Sequence, residues 1–274
     1  MRPPGEPRRI AYLYLLPGLL VFGAFVLVPL LHAAWISLFR WDGITPGTWV
    51  GLANYKSVVA DGELRAAFGH ALILVAFYAL LPVAIGLLLA GALARTHVRG
   101  LTAWRTVLFL PQVVALVVVA VIWRMLYEPT GWLGSFSLAL PAVGLVGTWI
   151  EYGLAMVLLT AGVQKIPQSL YDAARVDGAG PAREFFAVTL PGLRGEVAVA
   201  LTLTTIAALR NFDLVYLTTD GGPGNATSVP AFEVYNRAFR AGDVGTASAI
   251  GVCVAALIFV LAFALNRFAE RQAP

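Results

Sequence analysis

The run AYLYLLPGLLVFGAFVLVPLLHAAWISLF, Ala11 to Phe39, holds no Asp, Glu, Lys or Arg in 29 residues. A helix rises 1.5 Å per residue, so about 20 apolar residues cross the ~30 Å hydrocarbon layer of a bilayer. This stretch is long enough to do so, and too long for the core of a signal peptide, so it predicts a retained membrane helix. The rest of the chain points the same way. Of 274 residues, 59% are apolar and 12% are charged, with a mean hydropathy of +0.79. Soluble domains are about 25% charged. A chain this poor in charge cannot cover a water-facing surface, which implies an integral membrane protein.

Five further spans follow. Ala66 to Ala94 is free of Asp, Glu, Lys and Arg, and Thr106 to Trp123 lies between Arg105 and Arg124. Gly147 to Gln164 is interrupted only by Glu151, with Pro141 and several glycines blurring its start. Val197 to Thr219 carries Arg210 and Asp213, and Val244 to Asn266 is uncharged. The runs are continuous rather than alternating, which favours helices over a barrel. The expectation is an all-α polytopic membrane protein with six transmembrane helices, folded as one domain over residues 1–274. Prolines 17, 29, 82 and 111 are expected to bend their helices.

Basic residues set the orientation. With the N-terminus placed in the cytoplasm, twelve of the 19 Lys and Arg fall in cytoplasmic segments, among them Arg2, Arg95, Arg99, Lys165, Arg175 and Arg183. Six fall on the opposite side, and Arg210 lies within a span. This bias places both termini in the cytoplasm. A pI near 9.4 therefore records membrane orientation rather than nucleic-acid binding. The single Cys253 cannot form an intrachain disulfide and reads as a small apolar residue. His32, His70 and His97 show no metal-ligand spacing and read as structural or interfacial. There is no G-x-S-x-G nucleophile elbow and no G-x-x-x-x-G-K-[ST] phosphate loop.

Between the fourth and fifth spans lies SLYDAARVDGAGPAREF, Ser169 to Phe185, with five charges in a charge-poor chain. Ser169, with Asp172 three residues on, has the spacing of a capping box. The segment Leu170 to Val176 supplies about two helical turns, and Gly178 can stop them with a left-handed backbone. Gly180-Pro181 suits the start of a second helix, in which Phe185 and Phe186 form an apolar side and which Pro191 interrupts. Helices this short are marginal alone in water. Either a partner packs on the first one, where Ala173 and Ala174 leave a flat surface, or this is an ordinary cytoplasmic loop.

DAARVDGAGPAREFFAVTLPGL, Asp172 to Leu193, resembles the EAA loop of ABC importer permeases: acidic-Ala-Ala, three residues, Gly-Ala, an aromatic-rich helix and Leu-Pro. Four more stretches resemble the carbohydrate permeases of the maltose and glycerol-3-phosphate group: GLANYKSVV (Gly51 to Val59), RTVLFLPQVV (Arg105 to Val114), AGVQKIPQSLYDAA (Ala161 to Ala174) and LTTDGGPGNAT (Leu217 to Thr227). The resemblance departs at Asp172, where the family usually has the longer Glu. It implies a type I importer permease fold with a cytoplasmic coupling loop over residues 165–196. It also implies that Asp172, Ala173, Ala174, Asp177, Gly178 and Ala179 dock on a cytoplasmic ATPase subunit. The implied partners are a second permease subunit, an ATPase dimer and an extracytoplasmic solute-binding protein delivering a sugar or related polar solute. On that reading the chain is a transport subunit in a bacterial inner membrane with no cofactor of its own, ATP and Mg being bound by the partner ATPase.

Intramembrane polar residues mark the expected solute path: Glu151, Arg210, Asn211 and Asp213. Charge within an apolar span is costly and usually functional. Arg210 and Asp213 are three apart, hence on one face if they share a helix. They either line a polar cavity or form a structural ion pair. Trp149, Tyr152 and Phe212 could stack on sugar faces or anchor at an interface. The glycines and proline of TTDGGPGN, Thr218 to Asn225, predict an outer loop. The alternative function is a secondary transporter of a small polar solute, which would often show an internal repeat; no convincing repeat relates the two halves.

Overall fold

The computed structural model describes residues 8–93, 101–128 and 131–271. His97 and the basic residues Arg2, Arg95 and Arg99 lie outside the described residues. Helix α1 covers residues 8–36 as Arg8–Phe22, a π turn at Gly23–Leu27, and Val28–Ile36. Strands β1 (Phe39–Arg40) and β2 (Thr48–Trp49) form a small antiparallel pair. Then come α2 (Ala53–Ala60) and α3 (residues 62–93), the latter with a π turn at Ala76–Leu80. Next are α4 (Leu101–Val113), α5 (Leu116–Tyr127) and α6 (Ala139–Val163). The loop elements are α7 (Gln168–Val176) and α8 (Pro181–Gly192). The remainder is α9 (Arg194–Leu209), α10 (Asp213–Thr218), α11 (residues 230–240) and α12 (Val244–Arg271).

Among the described residues four helices are long and apolar enough to cross a membrane: Tyr14–Ile36, Gly62–Ala92, Ala139–Val163 and Val244–Arg267. The number becomes six if each of two bent pairs is one span, α4 with α5 at 90° and α8 with α9 at 71°. The expected span Thr106 to Trp123 is therefore not straight. Pro111 sits in the last turn of α4 and removes a ladder hydrogen bond there. Ala115 then turns extended (φ −56°, ψ 130°), and α5 restarts from its carbonyl. The expected span Val197 to Thr219 is also interrupted. Helix α9 ends at Leu209, where the Arg210 and Asn211 amides close a tightened last turn on Ile206 and Ala208.

Three of the four π turns among the described residues share one cause. Those at Gly23–Leu27, Ala76–Leu80 and Phe185–Thr189 each end two residues before a proline, Pro29, Pro82 and Pro191. Proline offers no N–H to the carbonyl four residues back, and its ring collides with it. Those carbonyls belong to Phe25, Tyr78 and Ala187, each inside a π turn. The wider i→i+5 ladder absorbs the collision, so the helices continue instead of breaking.

The chain forms two compact units. In the first, residues up to Asp61 combine with Val234–Cys253. Buried Asn54 donates to the carbonyls of Ser37 and Phe39, both at 2.8 Å, and so ties α2 to the end of α1. Tyr55 meets Ser37 Oγ at 2.6 Å. Gly245 at the start of α12 lies against the Phe39 carbonyl, where a side chain has no room. Arg237 Nη2 donates to Asp61 at 2.6 Å.

The second unit, Gly62–Glu233 with the chain from Val254, is organised around α6. That helix is 67% buried over its span window, the most of the four long spans. Glycines make its notches: Gly144 and Gly147 receive Phe77 and Tyr78 of α3, and Gly153 receives the α4 backbone at Leu108 and Phe109. Gly162 receives Leu193 and Glu196. In lipid, where no hydrophobic force drives helices together, such close approach supplies the packing energy. The order of contacts runs α6 parallel to α3 and, with Arg105 beside Gln164 as a second point, antiparallel to α4, as alternate crossings require. Helix α6 begins earlier than Gly147 because Pro141 falls in its first turn, where proline is tolerated.

Candidate coupling loop and polar span breaks

The loop between α6 and α9 is built on a turn that the sequence specifies residue by residue. Helix α7 starts at Gln168 behind Pro167, and no side chain caps it. The capping box expected from Ser169 and Asp172 is not formed, because the helix already starts at Gln168 and Pro167, two residues before Ser169, takes the cap position. Asp172 instead lies beside Gln168 and Arg175, at 3.4 and 3.5 Å. At the other end Gly178 has φ +76°. The Gly178 amide donates to Arg175 O at 3.0 Å and the Ala179 amide to Ala174 O at 2.9 Å. These two bonds make a Schellman turn, which satisfies carbonyls left open at the helix end. Gly180 then precedes Pro181, the first residue of α8.

Helix α7 has two faces. Inward, Tyr171 is 2% exposed and its hydroxyl lies 3.3 Å from Thr189 Oγ1. One turn on, Arg175 Nε donates to Glu184 Oε2 at 3.2 Å, and Glu184 is buried. Outward, Leu170, Ala173 and Val176 form an exposed apolar stripe at helical spacing, Val176 reaching 87% exposure. Of the expected coupling residues, Asp172, Ala173, Asp177 and Gly178 are exposed, while Ala174 and Ala179 are half-buried. The base of the loop is closed by Ile166 against Gly192 and by a Lys165–Glu196 salt bridge of 2.9 Å. The sequence reading missed the Tyr171 and Glu184 anchors. Their signal was the four-residue spacing of Tyr171 and Arg175, which puts both on one face.

The polar residues of the spans are distributed differently from expectation. Glu151 is buried on α6, one turn after the Gly147 notch that holds Tyr78. Arg210 and Asp213 do not share a helix. Arg210 caps the end of α9 and Asp213 opens α10, both exposed. Among the described residues Arg210 makes no salt bridge, so it is not paired with Asp213. Asn211, 7% exposed, sits in the break between the two helices, and its buried Nδ2 has no hydrogen-bond partner among the described residues. A second unpaired amide atom, Gln112 Oε1, lies just before the break between α4 and α5. Gln112 carries no charge and so gave no signal in an apolar run. Trp149 packs edge-on against Trp123 at 5.7 Å, and Phe212 stacks on Tyr216 at 5.2 Å.

Beyond α10, the segment Thr218 to Asn225 is a tight loop with a cis Gly222–Pro223 bond and left-handed Asp220, Gly221, Gly224 and Asn225. With the end of α5 it borders a cleft of about 450 Å³ lined by Arg124, Tyr127, Glu128, Thr218 and Thr219 among others.

Comparison with known proteins places this architecture. The family described as binding-protein-dependent transport system inner membrane component matches residues 82–273. The probable ABC transporter permease protein YurN of Bacillus subtilis is 36% identical, with 93% of this chain and 94% of that protein covered. The trehalose/maltose transport system permease protein MalF of Thermococcus litoralis is 33% identical over 94% and 92% of the two chains. In fold, the chain is similar to one in the crystal structure of a bacterial alginate ABC transporter in complex with an alginate pentasaccharide-bound periplasmic protein. That match has a TM-score of 0.77 at 21% identity and covers 96% of this chain and 94% of the other. The apolar spans, the loop between the fourth and fifth of them, and these matches together make the chain a member of the binding-protein-dependent transport system inner membrane component family.

Proposed function

We propose that this chain is one permease subunit of an ATP-driven importer for a sugar or related polar solute. It pairs with a second, different permease subunit, and both rest on a dimer of cytoplasmic ATPase subunits that bind the ATP and Mg. An extracytoplasmic solute-binding protein delivers the solute. The named relatives include a trehalose/maltose permease, which favours a saccharide. The whole chain acts as one permease domain, with both termini and the loop over residues 165–196 in the cytoplasm. It has no ATPase site of its own.

The observation that carries this reading is the exposed apolar stripe Leu170, Ala173 and Val176 on a short helix whose opposite face is anchored. A nine-residue helix is marginal in water, and a stripe that faces outward on a fixed mount suits a groove in another protein. Asp172, Ala173, Ala174, Asp177, Gly178 and Ala179 form that docking element, which moves with the ATPase as its dimer closes. Glu151, Arg210, Asn211 and Asp213 line the solute path. Interrupted spans free backbone groups and polar side chains at membrane depth, where a polar solute needs them.

Gly178→Asp tests the docking assignment. A Cβ at Gly178 meets nothing within 4 Å, so the penalty comes from the left-handed backbone alone. That strain is about 1 kcal/mol or more, roughly a fivefold shift or greater in a docking equilibrium. The variant should reach the membrane and pair with the second permease, yet retain less ATPase on co-purification and show less solute-stimulated ATP hydrolysis. Wild-type values for both would remove the coupling role.

A further inference from the structure

We infer that Glu184, Phe185 and Gly91 form a rigid link that delivers movement of α7 to the α3 span; this rests on the coupling role of α7 proposed above. A short helix passes on a push only if its mount does not yield. Here the mount has two fixings on one face, one turn apart. Tyr171 is buried against Thr189, and Arg175 holds Glu184 at 3.2 Å. Glu184 is 1% exposed, and a carboxylate at that depth does not part readily from its cation. Rotation of α7 about the Gly178 turn would pull them apart, so α7 and α8 move as one piece.

The next residue carries the movement onward. The Phe185 ring seats on Gly91 in the last turn of α3. A Cβ at Gly91 would lie 2.7 Å from Phe185 Cδ2 and 3.0 Å from Cε2, closer than carbon atoms approach. Gly91 has ordinary helical geometry, since its φ is not among the positive ones. No backbone demand therefore explains a poor helix former at this position. The notch does: the ring can sit this close only where there is no side chain. Close-packed contacts transmit displacement because they do not compress. Further along, Leu193 and Glu196 seat on Gly162 of α6 and Ile166 seats on Gly192, so the far end of α8 is held as well. Phe185 and Gly91 are thus positioning residues, acting through α7 and touching neither solute nor nucleotide.

The test uses the whole complex, purified through a tag on this chain and reconstituted with its binding protein. It reads solute moved per ATP hydrolysed, with ATPase co-purification measured in parallel. Gly91→Val should lower the transport-to-hydrolysis ratio about tenfold with the ATPase still bound, the scale of coupling between touching residues. Phe185→Leu in the same chain should return the ratio to within about twofold, because the smaller side chain makes room for valine. A normal ratio in Gly91→Val, or a loss that Phe185→Leu leaves untouched, overturns the link. If Gly91→Val does not assemble, Phe185→Ala decides: it empties the notch, and an unchanged ratio there equally overturns the link. Failure of the coupling reading shows separately. A cysteine at Ala173 in the otherwise wild-type chain would then not cross-link to the ATPase at all.

Discussion

Asp42 orders a loop with one carboxylate. Its Oδ1 accepts the amides of Ile44 and Thr45 at 2.9 and 2.7 Å, and its Oδ2 accepts the Thr45 hydroxyl at 2.8 Å. Trp41 Nε1 closes the same turn on the Thr45 carbonyl at 2.8 Å. The Ile44 amide, then the Thr45 amide and hydroxyl, favour the ionised form and hold the Asp42 carboxyl below its ordinary value. A depressed carboxylate stabilises the turn fully above its unfolded pKa of about 3.9 and loses that effect as pH falls through the lower folded value. Trp41 fluorescence should therefore change on acidification below about pH 4 in wild type and stay flat in Asp42→Asn, which keeps an acceptor but cannot titrate. The same acid transition in both proteins would show that Asp42 is not its source.

At the scale of elements, glycine and proline decide how the spans meet. Proline is absorbed by a π turn when it sits inside a long helix, as at Pro29 and Pro82, and helps a span to break where it falls in a last turn, as at Pro111. Glycine gives contact. A Cβ at Gly147 would fall inside the Tyr78 ring, whereas one at Gly69 on α3 would meet nothing within 4 Å. Gly147→Ala should destabilise the protein by about 2–3 kcal/mol, since overpacked sites relax only by displacing their neighbours. Gly69→Ala should be neutral or slightly stabilising, alanine being the better helix former. Thermal unfolding in detergent compares the two, and equal midpoints would mean that α3 and α6 do not meet as closely as described.

For the whole molecule, the directions of packed helices agree with alternate membrane crossings. Helix α3 runs with α6, since Phe77 and Tyr78 meet Gly144 and Gly147 while Gly86 meets Ala155, and α4 runs against it, since Leu108 and Phe109 meet Gly153 while Arg105 lies beside Gln164. With the basic-residue bias, this leads to a definite outcome for side-specific labelling. In a chain whose Cys253 is replaced, a cysteine at Ala179 should react only from the cytoplasm and one at Ala226 only from outside. The opposite pattern at either position would invert the topology and move the coupling loop away from any cytoplasmic ATPase.

The sequence by itself determined the class, the places of the four unbroken apolar spans and the turn of the loop between α6 and α9. Each rests on local physics. Uncharged runs of sufficient length must enter lipid, Gly178 must take a backbone that other residues resist, and Pro181 must open a helix rather than lie within one. Tertiary structure alone decided which residues of the loop hold it and which are offered outward. Glu184 reads in sequence as one more loop charge, and only its burial against Arg175 makes it an anchor. It also decided that α6, whose span had the least distinct start in sequence, is the most buried of the long spans, because glycine spacing announces close packing without naming what packs there. The separation of Arg210 from Asp213 belongs to the same class. A three-residue spacing implies one face only while the helix lasts, and the end of α9 at Leu209 is set by how the amides of the last turn pair, which no pattern of residue types records.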